Sequence, residues 1–132
     1  MGVRGIDHVG LAVDDLEAAV ATYERLFGAE VERRAEGDGL VGAMVRVGGD
    51  RIELLGSADA ETPIGKFLAK RGPGMHHVAY AVDDIRAALR SLVEQGVELI
   101  DAEPRVGLFG HEIAFAHHES VHGVLTELVG VE

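Results

Sequence analysis

The sequence predicts an α+β domain made of two tandem β-α-β-β-β modules. Three observations carry that prediction. Residues 6–20, IDHVGLAVDDLEAAV, recur as residues 75–89, MHHVAYAVDDIRAAL, at an offset of 69 in a chain of 132 residues. Two copies are too few for a solenoid and point instead to one domain of two similar halves. Within each copy, alternation with period two gives way to apolar spacing with period 3.6, which reads as a strand followed by a helix. After each helix come only short β-like runs, divided by Gly-rich punctuation.

In the first copy, Ile6, His8, Gly10 and Ala12 share one strand face, and Asp7, Val9, Leu11 and Val13 share the other. Asp14 is the expected N-cap of the helix, with Glu17 three residues on as its capping-box partner. Leu16, Ala19, Val20, Tyr23, Leu26 and Phe27 follow at helical spacing, and Gly28 ends the helix. Runs 29–35, 40–47 and 51–56 complete a first module over about residues 3–58. A connector helix is expected over about 62–71. Thr62 caps it, Pro63 suits its first position, and Ile64, Phe67 and Leu68 form its apolar stripe. The second module, about residues 74–130, follows the same plan. Asp83 is its expected cap, Ile85, Ala88, Leu89, Leu92 and Val93 its stripe, Gly96 its stop, and 97–102, 111–117 and 122–129 its later strands. The whole chain, 1–132, reads as a single domain.

Composition excludes several classes of function. Twelve Lys+Arg against 23 Asp+Glu give a net charge of −11. Such a chain is a poor non-specific binder of nucleic acid or anionic membrane. Trp is absent and aromatics make up 5%, which also argues against a base-stacking platform. The absence of cysteine removes a disulfide scaffold, a thiolate metal site and a cysteine nucleophile together. No run of 18 apolar residues and no signal-peptide core are visible, so a soluble cytoplasmic protein is expected.

Four polar residues stand where the pattern calls for apolar ones. His8 and His77 lie on the first strand of each module. Glu53 interrupts IELL, and Glu127 interrupts VLTELV, each in its module's last strand. A carboxylate in an apolar strand is costly unless it has a partner. The glutamates are offset by 74 rather than 69, which a five-residue loop insertion near 104–111 explains. A pseudo-twofold between modules would bring both pairs to one centre. Two imidazoles and two carboxylates suit one divalent ion such as Co, Ni, Zn or Mn, with positions left open for a substrate. Among the other histidines, His76 faces away from His77; His111, His117, His118 and His122 cluster late in the chain and suit loop or surface positions, with His111 or His122 as candidates to line a pocket.

The doubled module with His…Glu…His…Glu resembles the vicinal oxygen chelate superfamily over nearly the whole chain. Within it, IDHVGLAVDDLEAAV, ETPIGKFLAKRGPGMHHVAYAVDDI and GVELIDAEPRVGLFGHEIAFAHHESVHGVLTELV resemble the methylmalonyl-CoA epimerase family. The resemblance implies curled mixed sheets forming a metal-containing cleft, and a homodimer. It also implies interconversion of the 2R and 2S forms of methylmalonyl-CoA by α-proton transfer through a metal-stabilised enediolate. It puts His8, Glu53, His77 and Glu127 on the family's metal positions. On that basis Glu127 is expected to serve one face of the substrate in proton transfer, and Glu53, or a water in the space at Gly42, the other. Three departures are visible. Gly42 stands where some members carry a glutamate base, Glu112 where a basic or polar residue is commoner, and His118 where proline is usual.

Coenzyme A is polyanionic and the chain is acidic, so an acyl-CoA substrate requires local cations. Lys66 and Lys70, at i and i+4, face the same way on the connector helix. Arg71 follows them, and Arg105 and His111 lie in the later Gly-rich loop. Two other functions share this framework. A glyoxalase-I-type isomerase acting on a hemithioacetal uses the same ligand set. A drug-sequestering protein of the bleomycin-resistance type has the fold without the metal residues. A ring-cleaving dioxygenase fits less well, because it uses two histidines and one carboxylate on iron.

Overall fold

The computed structural model describes residues 2–131. Contacts group them into two compact units: residues 8–76, and the N-terminal stretch up to Asp7 together with the chain from His77 onward.

The first unit is built from β1 (Val3–Ala12), α1 (Leu16–Phe27), β2 (Glu30–Gly37), β3 (Leu40–Val47), β4 (Asp50–Ser57) and α2 (Pro63–Arg71), with β1 entering it at His8. Its strands lie in the order β2-β3-β4-β1; β1 and β4 are parallel and the other pairs antiparallel. Strand alternation sorts the side chains onto two faces. Ala43, Val45 and Leu54 form a core with Val20 of α1, and Leu11, Ile52, Leu16, Ala19 and Tyr23 pack around it. The helix therefore covers that face. On the other face lie His8, Gly10 and Ala12 of β1, Glu53 and Leu55 of β4, and Gly42 and Met44 of β3, all buried. Leu26 and Phe27, in the last turn of α1, are exposed.

The expected caps are one residue out of place. Asp15, not Asp14, accepts from the amide of Ala18, and Asp84, not Asp83, accepts from Ala87. A capping carboxylate reaches the N–H three residues on, so helices that begin at Leu16 and Ile85 are capped by the second aspartate of each pair. Asp83 instead pairs with Arg4, and its amide donates to the carbonyl of Gly2. Glu17 is held by the Arg34 guanidinium rather than by a capping box. Gly28 does end α1, in the left-handed conformation at φ 65°.

The connector helix forms as expected. The Thr62 hydroxyl accepts from Gly65 N at 2.9 Å, with Pro63 in the first turn. The cap belongs to a tight hub: Ser57 Oγ donates to the carbonyl of Gly39, and the Thr62 hydroxyl lies 2.8 Å from Ser57 Oγ. Gly65 passes so close to this hub that an added Cβ would lie 2.1 Å from the Asp59 carbonyl oxygen.

The second unit contains β5 (Gly74–Val82) from His77 onward, α3 (Ile85–Glu94), β6 (Arg105–Val106), β7 (Glu112–Ala116) and β8 (Thr126–Gly130). Strand order is β5-β8-β7-β6, again with the first and last strands of the module parallel. Its core is Val82, Ala114 and Leu128 against Ile85, Ala88 and Leu89 of α3. Gln95 caps α3, and Gly96 follows at φ 86°.

Two strand expectations fail here. Residues 97–102 form no strand; only Leu99 bridges to Ala116. Both Ile100 N and Asp101 N donate to the carbonyl of Phe115, and the Asp101 carboxylate accepts from Phe115 N. A side chain thus takes a place in the ladder that main chain would fill. The last strand begins at Thr126 rather than 122, because His118–Val121 form a 3-10 turn that ends with His122 left-handed at φ 53°.

The hub around Thr62 generates a stability prediction. Gly65→Ala is expected to lower the unfolding free energy by about 2 kcal/mol through overpacking, seen as a lower urea midpoint. An unchanged midpoint contradicts the close approach.

Candidate active site

Register positions the four singled-out residues. In the first unit Glu53 of β4 pairs with Gly10, two residues after His8. In the second, Glu127 of β8 pairs with Ala79, two residues after His77. The histidine and the glutamate of each unit therefore share one face of neighbouring parallel strands. That face is the one opposite the helix. The 74-residue offset between the glutamates becomes equivalence in register once the loop around β6 is allowed for.

The atoms meet accordingly. His8 Nε2 lies 3.5 Å from Glu53 Oε1, and His77 Nε2 lies 3.1 Å from Glu127 Oε1. Exposures are 4% and 8% for the first pair, and 2% and 5% for the second. Among the described residues these are the only buried ionisable side chains; the other buried polar groups are Thr62 and Thr126. Both threonines have local work, one as a cap and the other donating to Val124 O. Taking a carboxylate out of water costs several kcal/mol, and a neutral histidine beside it returns little of that. A cation between the two returns more.

The donor set fits a divalent ion. Ligand bonds of about 2.1 Å put two neighbouring ligand atoms about 3.0 Å apart in octahedral geometry and about 3.4 Å apart in tetrahedral geometry. Both nitrogen–oxygen separations are close to these values. Imidazole and carboxylate without thiolate favour Zn, Co, Ni or Mn over soft ions. His76 does not share this arrangement: its ring meets Phe67 edge-on at 5.1 Å.

The remaining candidates are placed as follows. Gly42 pairs with Leu55, two residues along from Glu53, on the same face. Lys66, Lys70 and Arg71 are exposed on α2, and the Arg71 guanidinium lies 5.8 Å from the centre of the Phe67 ring. Arg105 pairs with Asp101 at 3.1 Å and lies over Phe115. His111 is exposed in the turn before β7, where its carbonyl accepts from Gly107 N. His122 is exposed, at the end of the 3-10 turn. Glu112 holds Arg86 of α3 through two bonds of 3.2 and 3.0 Å, which raises the guanidinium's pKa above its ordinary value. The unusual acid there ties β7 to its helix. His118 stacks against His117, ring centres 4.4 Å apart.

Sequence reasoning missed Phe115 and Asp101. The Phe115 ring meets the His77 imidazole edge-on, with centres 5.4 Å apart. Its position opposite Glu127 in register is the signal that marks it. Asp101 was hidden because its stretch reads as an ordinary strand.

Comparisons with known proteins show the family and the fold. Residues 7–115 match the model of the glyoxalase/bleomycin resistance protein/dioxygenase superfamily. The chain is 39% identical over 127 residues to the ethylmalonyl-CoA/methylmalonyl-CoA epimerase of Cereibacter sphaeroides, covering 93% of this chain and 95% of that protein. The crystal structure of methylmalonyl-CoA epimerase from Mycobacterium tuberculosis superposes with a TM-score of 0.93 at 38% identity, over 98% of this chain and 89% of that one. A variant of the Streptomyces coelicolor methylmalonyl-CoA epimerase, in complex with 2-nitronate-propionyl-CoA, gives a TM-score of 0.92 at 36% identity over 98% of both chains. No helix among the described residues is long and apolar enough to cross a membrane.

The two adjacent histidines provide a test of which face matters. His77→Ala is expected to weaken divalent-ion binding at least about tenfold, given that even outer partners of metal sites carry 10–100-fold effects, whereas His76→Ala leaves it unchanged. Titration with Co(II), followed by its visible absorption, reads both; equal losses contradict the assignment.

Proposed function

Because the chain belongs to the glyoxalase/bleomycin resistance protein/dioxygenase superfamily, and within it to the methylmalonyl-CoA epimerase family, we propose that it interconverts the 2R and 2S forms of methylmalonyl-CoA. The single observation that carries this reading is the pair of register-equivalent, buried His–Glu couples. In this proposal His8, Glu53, His77 and Glu127 hold one divalent ion per chain, of the Co, Ni, Zn or Mn type. The chain acts as one domain over residues 1–132, in two modules joined by α2, and works as a homodimer in the cytoplasm.

The chemistry asks for three things. The α carbon lies between a thioester and a carboxylate, and its proton is weakly acidic. A bound divalent ion supplies Lewis-acid stabilisation for the negative charge that develops on the substrate oxygens. The protein supplies a proton acceptor on one face of the α carbon and a donor on the other. Glu127 takes the proton on one face. Glu53 in its protonated form, or a water beside Gly42, would give up a proton on the other, with exchange to solvent resetting both groups, and the carboxylate that moves a proton would loosen from the ion to do so. Gly42 offers no acid of its own, so the work on that face falls to its neighbour on β4. Burial of both carboxylates keeps bulk water off the reacting face during the transfer.

Coenzyme A brings several negative charges to a protein of net charge −11. Lys66 and Lys70 on one face of α2, with Arg71, form the proposed docking group for its phosphates, and Arg105 and His111 are further candidate contacts. Acyl-CoA complexes of related epimerases support a ligand of this class. A hemithioacetal substrate is the rival, since two histidines and two glutamates serve that isomerisation as well. Parallel assays with methylmalonyl-CoA and with methylglyoxal plus glutathione decide between them.

Two variants test the proposal. Glu127→Gln is expected to lower α-proton exchange with deuterated water by about 10²-fold or more, the usual contribution of a positioned base; full retained exchange removes Glu127 from the mechanism. Lys66→Glu together with Lys70→Glu is expected to raise KM for methylmalonyl-CoA with little change in kcat. An unchanged KM shows that coenzyme A docks elsewhere.

A further inference from the structure

Asp101, in the stretch before β6, closes a network that ends on His77. Its Oδ2 accepts from Phe115 N at 2.9 Å, and its Oδ1 accepts from Arg105 Nε at 3.1 Å. Its side chain is only 17% exposed. The Phe115 carbonyl accepts from both Ile100 N and Asp101 N, at 2.9 and 3.2 Å. Both main-chain polar groups of Phe115 are thus tied to residues 100–101. Arg105 completes the loop from the other side, its guanidinium 5.7 Å from the centre of the Phe115 ring.

The physical need is clear from the topology. Strand β6 covers β7 only at Ile113 and Glu112. Beyond that point residues 98–101 run along β7 instead, through the Leu99–Ala116 bridge and the bonds of Ile100 N, Asp101 N and Glu98 O, and the Phe115 amide is left to a side chain. A carboxylate accepting a main-chain N–H makes a charge-assisted bond, stronger than the ladder bond it replaces. Asp101 therefore pins β7 at Phe115, whose ring meets the His77 imidazole, 5.4 Å centre to centre at 87°. An edge-on aromatic neighbour limits how far a buried imidazole can turn. His77 Nε2 in turn lies 3.1 Å from Glu127 Oε1.

We propose that Asp101 is a positioning residue for the active site: through Phe115 it fixes the orientation of His77, and Arg105 locks the pair. This rests on the reading of His77 as a metal ligand. Partners of this outer kind typically carry 10–100-fold in metal affinity.

The test combines three variants with two readouts, divalent-ion affinity by calorimetry and the imidazole 1H–15N spectrum of the metal-free protein. Asp101→Ala is expected to weaken ion binding by about 10–100-fold and to broaden or split the His77 signals. Asp101→Asn keeps an oxygen for Phe115 N and is expected to recover most of the affinity, which a general loss of stability does not predict. Phe115→Leu leaves the main-chain bonds in place, removes the ring edge and is expected to weaken ion binding as Asp101→Ala does, so it serves if Asp101→Ala fails to fold. Wild-type affinity and an unchanged His77 spectrum in folded Asp101→Ala or in Phe115→Leu overturn the inference alone. A wild-type protein that binds no divalent ion overturns the metal reading and the inference with it.

Discussion

The structure depends on one constraint: two carboxylates are held out of water beside two imidazoles. Each burial costs several kcal/mol unless a positive charge meets it. The chain accepts that cost twice, at Glu53 and at Glu127, and nowhere else among the described residues. Register explains how it does so. A parallel first and last strand in each unit puts the glutamate two residues downstream of its histidine, on the same face.

The helices determine which face is left for chemistry. α1 and α3 each cover one side of their strands with small and branched apolar residues, Val20 with Val45 and Leu54 in one unit, Ala88 and Leu89 with Leu128 in the other. Strand alternation then puts histidine and glutamate on the opposite side. Core and site are therefore specified by the same period-two pattern, and a slip of one residue would exchange them. This explains why a small domain can carry charged groups in its interior: the helix face supplies the stability that the site face spends.

Much of this was legible in the sequence. The repeat marked the recurring strand and helix, the turn at Thr62-Pro63 marked the connector helix, and misplaced polarity picked out His8, Glu53, His77 and Glu127, which the fold buries. The caps were misread by one residue because Asp-Asp offers two equivalent carboxylates, and only the start of the helix decides between them. The strand expected at 97–102 failed for a different reason. Alternation there is genuine, but the pairing is supplied by the Asp101 side chain, and pattern does not distinguish a ladder from a carboxylate standing in for one. Phe115 was invisible for the related reason that its importance comes from register against Glu127, a long-range property. Glu112, unusual at its position, bonds to Arg86 and ties β7 to α3.

The account stands or falls on what happens at the α carbon. The most direct measurement starts from a single enantiomer of methylmalonyl-CoA and follows its configuration with the metal-loaded protein, the chelator-treated protein and the chelator-treated protein with a divalent ion restored. The account predicts conversion to an equilibrium mixture, loss of that activity once the ion is removed, and recovery when it returns. Retention of configuration by the loaded protein, or an undiminished rate after verified removal of the ion, contradicts it.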